Sequence, residues 1–211
     1  MRKYRYYLFD FDGTLVDSFP SLYIVFKRAF EAINIEIDPN DIPWMSRVPL
    51  LDSYNKYNAP DNEESIQIFS DAILEALDSR EALELTRLFD DSRKFFDYIK
   101  ENHIKCGIVT SNQRKHVQEV LDFFNIDSSI FEVIVGNETC KTFKPSPEPI
   151  LKALELLDYK DDLKDIVYIG DSHNDCLSAI NANISYYLLD RGDAPSKDYP
   201  TIYSLMDLFN K

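Results

Sequence analysis

The fold is decided at the start of the chain, by Tyr4-Arg5-Tyr6-Tyr7-Leu8-Phe9-Asp10-Phe11-Asp12-Gly13-Thr14. Tyr4 to Phe9 is a short aromatic and aliphatic run that halts at an acidic residue, the pattern of a buried strand. Asp10 and Asp12 follow, two residues apart. At the end of a strand such side chains point to opposite sides, so they can do different jobs. Alone, Asp-x-Asp-Gly also suits a calcium-type or ordinary turn, and the rest of the chain decides between these readings.

Working outward, Leu22, Val25, Phe26, Ala29, Phe30 and Ile33 recur at three- and four-residue steps and make one face of a helix. Ser18 or Ser21 is placed to cap it, with Pro20 tolerated in its first turn. Ile37 to Tyr57 holds Pro39, Pro43, Pro49 and Trp44, so it reads as loop and short helix, and Ser65 to Leu88 reads as helix. Phe26, Phe30 and Trp44 are expected in the core of this segment. Beyond it the pattern alternates. Helices are expected around Phe95–Ile99, Val117–Phe124, Ile150–Leu157 and Asp175–Ala182, and strands at Ile104–Val109, Phe131–Val135, Ile166–Ile169 and Tyr186–Leu189. Continuously apolar strands alternating with helices imply an α/β fold, a Rossmann-like parallel sheet covered by helices on both faces. The first strand belongs to that sheet, so residues 1–15 and 84–211 form the core domain and residues 16–83 an inserted all-helical domain.

In doubly wound sheets, ligands sit beyond the carboxyl ends of the strands. The residues found there are Asp10 to Thr14, then Thr110-Ser111-Asn112, then Lys144-Pro145, then Gly170-Asp171-Ser172-His173-Asn174-Asp175. Four carboxylates gathered at one edge would repel by about 4 kcal/mol per close pair at an effective dielectric of 20. A hard, oxygen-ligated ion such as Mg²⁺ relieves this and leaves positions for phosphate oxygens. The formal net charge of −14 argues against nucleic acid or an anionic membrane as partner. A phosphorylated substrate would then need local positive charge, which a metal ion and a well-placed lysine supply.

With these segments in order, the chain resembles the haloacid dehalogenase superfamily, in its phosphoglycolate phosphatase and β-phosphoglucomutase-like branch with a helical cap inserted after the first strand. The resemblance covers essentially the whole chain. It implies Asp10 as nucleophile, Asp12 as general acid/base, and a small phosphorylated metabolite as substrate. It further implies Thr110, with the backbone amides of Ser111 and Asn112, as phosphoryl-binding groups, and Lys144 as the group neutralising the nucleophile and the phosphoryl oxygens. Mg²⁺ would be held by Asp10, the Asp12 carbonyl and Asp171, with Thr14 and Asp175 in support. Thr14 stands where similar mutases tend to carry an aliphatic residue, which favours a phosphatase over the alternative, a sugar phosphomutase. Asp12 argues against dehalogenation, and the intact set of four residues argues against a purely binding protein. Arg47 is the cap cation expected to meet a second anionic group. The chain departs from the family in the helix after the fourth motif, where Ala179-Ile180-Asn181-Ala182-Asn183 replaces a glycine-rich segment.

The 211 residues, 45% of them hydrophobic, suffice for a core without staples. Cys106, Cys140 and Cys176 have neither disulfide-framework nor zinc spacing and point to a reducing, cytoplasmic setting. The charged start lacks the apolar run and cleavage site of a signal peptide, and nothing approaches the roughly 20 apolar residues of a membrane span. His103 and His116 are expected at the surface, and His173 at a tolerant position of the fourth motif. Oligomeric state is left open.

Overall fold

The fold is seen in a computed structural model that describes residues 3–46, 48, 50–192 and 198–209. β1 (Tyr6–Phe9) is buried along its whole length. The chain then runs through β2 (Val16–Asp17) into α1 (Phe19–Ala32), α2 (Ile42–Met45), α3 (Leu50–Lys56), α4 (Glu63–Leu77) and α5 (Arg80–Leu85), and leaves that region through β3 (Arg87–Leu88). The remaining elements are α6 (Asp90–Glu101), β4 (Cys106–Val109), α7 (Arg114–Phe123), β5 (Val133–Val135), α8 (Glu148–Leu156), β6 (Ile166–Gly170), α9 (His173–Asn181), β7 (Ser185–Leu189) and β8 (Thr201–Ile202). Two compact units result, one drawn from residues up to Asp17 and from Leu88 onward, the other of Ser18–Arg87.

The first unit is built on a parallel sheet of strand order β5-β4-β1-β6-β7-β8. Phe9 is level with Ile108 on one side and Ile169 on the other, so Asp10, Thr110 and Asp171 emerge from three adjacent strands within a residue of the same height. Side chains of β1 alternate between the faces. Tyr6 and Leu8 join Ile150, Ala153 and Ala179 under α8 and α9. Phe9 faces α6, its ring 4.9 Å from that of Phe95. Ala179 and Ala182 occupy that first core as small buried residues, so the glycine-poor helix packs closely without glycine. β8 was not expected, because two residues are too short to show a period.

The second unit has its own core, in which Val25, Phe26, Ala29 and Phe30 of α1 meet Phe69, Ile73 and Ala76 of α4. The rings of Phe30 and Phe69 are 4.8 Å apart, and burying each contributes about 1.5–3 kcal/mol. The helix expected over Ser65–Leu88 is broken after Leu77, because Ser79 caps a new one by accepting from the Ala82 N–H. Trp44 is not in the core. Ile42 and Met45 take the inward positions of the short α2, leaving the indole half-exposed beneath Lys56 Nζ, 4.7 Å from its ring centroid. Among the described residues, no helix is long and apolar enough to cross a membrane.

Candidate active site

Beyond β1 the Asp10 amide still donates to Ile169 O at 2.8 Å, which holds the Asp10 side chain at the sheet edge. The chain then curls, with Leu15 N–H donating to Phe11 O and Gly13 N–H to Val16 O. Gly13 has φ +78°, and a Cβ there would lie 2.5 Å from Asp171 Oδ2. Both the backbone conformation and the close approach of Asp171 therefore require glycine. Thr14, fully buried, directs its hydroxyl to Asp171 Oδ1 at 3.0 Å and more loosely to Asp10 Oδ2 at 3.4 Å.

Lys144 reaches the same point from the loop after β5. That loop is tied down by Ser178 Oγ, which donates to Ser146 O at 2.7 Å, and by Asn181 Nδ2, which donates to Pro145 O at 2.9 Å. The buried ammonium lies 2.6 Å from Asp10 Oδ1, 2.6 Å from Asp175 Oδ1 and 3.2 Å from the Tyr168 hydroxyl. Three donors thus meet three acceptors. Asp175 is fixed from its other side: Oδ2 accepts from the Ser172 N–H at 3.1 Å and from the Ser172 hydroxyl, closing a capping box on α9.

Burial pushes the Asp10 carboxyl well above the usual range; Lys144 opposes this, and the nearby Asp175 and Asp171 add to it. Burial, reinforced by Asp175, pushes Asp171 up to about 6. Desolvation alone would lower Lys144, but Asp10 and Asp175 hold it well above its ordinary value, so it stays charged. Asp10, Asp171 and Asp175 each offer a carboxylate oxygen, all within 4.8 Å of one another. An all-oxygen set of this kind suits a hard cation.

The chain matches known proteins along most of its length. The haloacid dehalogenase-like hydrolase family model matches residues 7–189. The chain belongs to this family. A pyrophosphatase PpaX of Bacillus mycoides is 30% identical over 176 residues, covering 83% of this chain and 78% of the relative. A phosphoglycolate phosphatase of Colwellia psychrerythraea is 30% identical over 184 residues, covering 84% and 80%. Among solved structures, a haloacid dehalogenase superfamily hydrolase of subfamily IA from Geobacter sulfurreducens superimposes with a TM-score of 0.75 at 21% identity, over 97% of this chain and 99% of that one.

Within this haloacid dehalogenase-like site, Asp10, Thr14, Lys144, Asp171 and Asp175 converge as described. Thr110 is buried at the end of β4, and its Oγ1 accepts from the Asn112 N–H at 3.1 Å. The Asn112 amide, expected to face a phosphoryl group, is thus engaged within its own loop, and its side-chain Nδ2 donates to Asp12 Oδ2 at 2.7 Å. Ser111 is exposed in the same turn. Arg47 lies outside the described residues. His116 is buried, not at the surface: it opens the inward face of α7, continued by Val117, Val120 and Leu121, where that face passes beneath Asp12.

Three participants were missed. Tyr168 carries the signal of a lone hydroxyl in an otherwise aliphatic strand, and a buried tyrosine needs a partner. His116 had no sequence signal beyond its helical register. Arg191 stacks on Phe89, donates to Thr14 O and pairs with Asp91 at 2.8 Å, bracing the loop after Asp10 from behind. Nothing in its sequence neighbourhood marks it.

Proposed function

We propose that this protein is a magnesium-dependent phosphatase that hydrolyses small phosphate monoesters, of the phosphoglycolate or sugar-phosphate type, through an aspartyl-phosphate on Asp10. The observation that carries the reading is the buried Lys144 ammonium, 2.6 Å from Asp10 Oδ1 at the end of the central strand. It sets a fixed positive charge beside Asp10, opposing the burial and the two neighbouring carboxylates that raise this carboxyl, as a nucleophile requires. As the family resemblance implies, Asp10, Asp171 and the Asp12 carbonyl are the groups that would hold Mg²⁺, with Asp175 in support; Asp10, Asp171 and Asp175 lie close enough together to share such an ion. When bound, the cation would supply positive charge to the phosphoryl oxygens and to the clustered carboxylates.

In this mechanism an Asp10 oxygen attacks phosphorus as the bond to the leaving oxygen breaks. Asp12, in its acid form, gives that oxygen its proton. Water then attacks the phosphorylated Asp10, Asp12 takes the proton back, and phosphate and the free Asp10 carboxylate are released. Thr110 and the loop amide of Ser111 orient the phosphoryl group. The names of the relatives, a pyrophosphatase and a phosphoglycolate phosphatase, support a small phosphorylated substrate. The reducing cytoplasm expected from the cysteines suits such an enzyme.

The test is release of inorganic phosphate from 2-phosphoglycolate, sugar phosphates, pyrophosphate and p-nitrophenyl phosphate. Turnover should vanish in EDTA, return with Mg²⁺, and be absent from Asp10→Asn. Activity that persists in EDTA, or in Asp10→Asn, would refute the reading. Isomerisation of a sugar monophosphate that requires a trace of bisphosphate, without net phosphate release, would establish the mutase instead.

A further inference from the structure

The buried imidazole of His116 has no part in the mechanism above, yet its Nε2 lies 3.8 Å from Asp12 Oδ1. Only 5% of the residue is exposed. The ring is set edge-to-face against Phe11, with centroids 6.5 Å apart and planes at 88°. It is therefore wedged between two residues of the nucleophile loop. On the other side of the same carboxylate, Asn112 Nδ2 donates to Oδ2 at 2.7 Å. Asp12 thus has a hydrogen bond at Oδ2, from the turn before α7, and beside Oδ1 a ring nitrogen from the first turn of α7 that stands just beyond hydrogen-bond distance.

We propose that His116 is a positioning residue for Asp12: with Asn112 it fixes the plane of the carboxylate so that the proton is delivered along the bond to the leaving oxygen. The inference rests on Asp12 being the acid/base. A carboxylate three residues past a strand, its side chain 24% exposed, has room to swing about its Cα–Cβ bond unless it is confined on both sides. Proton transfer of this kind contributes about 10²–10⁴-fold, and a misplacement of about 1 Å can forfeit about 10²-fold. A buried histidine that merely filled space would matter equally for every substrate.

The experiment compares p-nitrophenyl phosphate, whose leaving group departs without a proton, with 2-phosphoglycolate, whose leaving alkoxide needs one, in the full chain with Mg²⁺. His116→Leu should lower kcat on 2-phosphoglycolate by about 10- to 100-fold with KM within about twofold, while the rate of the nitrophenol burst stays within about twofold. His116→Gln, which keeps an N–H donor, should recover most of the loss. Combined with Asp12→Asn, His116→Leu should cost nothing further on 2-phosphoglycolate, since both remove the same proton delivery. Equal losses on both substrates, no advantage of Gln over Leu, or additive losses in the double variant would overturn the proposal. Should His116→Leu fail to fold, His116→Asn, whose amide stops short of Asp12, takes its place with the same outcomes. Asp12→Ala separates the two levels. If it too shows no preference for the nitrophenyl ester, the acid/base reading falls; if it does and the His116 variants do not, only the positioning role falls.

Discussion

Asp10 and Asp12 are two residues apart and share a loop, but the protein treats them differently. Asp10 is buried against an ammonium, whereas Asp12 is partly exposed, with the Asn112 amide at one oxygen and the His116 imidazole near the other. The first sets a cation beside the oxygen that would attack phosphorus, and the second leaves a carboxyl partly open to solvent, where a leaving oxygen or water could reach it. Asp12→Ala should therefore lose nearly all turnover of alkyl phosphates, yet still release a burst of nitrophenol near one equivalent of enzyme before stalling as a phospho-protein. A linear time course with p-nitrophenyl phosphate, alongside intact activity on alkyl phosphates, would contradict this. Gly13 is the second sensitive residue. Gly13→Ala must adopt a left-handed backbone at a cost of about 1–2 kcal/mol and must also push Asp171 aside. Its Mg²⁺ half-saturation in a phosphate-release assay should rise at least tenfold, and an unchanged value would show that Asp171 is not a ligand.

At the level of elements, the loop after Asp10 is braced by a network that spans α6 and the segment after β8. Asp91 accepts from Arg191 at 2.8 Å, Ser204 Oγ at 2.9 Å and Leu205 N–H at 2.8 Å. Burial would raise this carboxyl, but the hydrogen bonds from Arg191 and Leu205 outweigh it and hold Asp91 below its usual value. A depressed native pKa favours folding above the unfolded value of about 3.9, and that contribution is lost as pH falls through the native one. Asp91→Asn should thus lower stability by about 2 kcal/mol at pH 7, with the gap to wild type closing below about pH 4 in denaturant titrations. None of this was legible in advance, because Arg191 acts through contacts 100 or more positions away in the chain. The sheet strands β1, β4, β5, β6 and β7 were legible, since a strand buried on both faces must be apolar throughout, whereas the two-residue β2 and β3 were not. So were the carboxylates at their ends, which interrupt those runs abruptly. Trp44 and His116 show the limit: in a short helix or a first turn, one step of register decides between core and surface, and periodicity cannot resolve it.

For the molecule as a whole, the carboxylate cluster and the net charge of −14 make cation binding and stability one problem. Asp171, raised to about 6, binds a proton in the native state that it lacks when unfolded. The metal-free protein should therefore lose stability as pH rises from about 4 to about 6, the reverse of Asp91. Mg²⁺ must displace that proton at low pH, so it should raise Tm more at pH 7 than at pH 5. Equal shifts at both would exclude Asp171 from the metal site. The order of the central strands has a separate consequence, for synthesis. Tyr7 pairs with Cys106 and with Val167, so the strand made first lies between partners made long afterwards. At about 5–20 residues per second, the nascent β1 waits on the order of ten seconds for its first neighbour, with four apolar residues uncovered. Ser18–Arg87 is contiguous and carries its own core, so on the ribosome the guest is complete before its host.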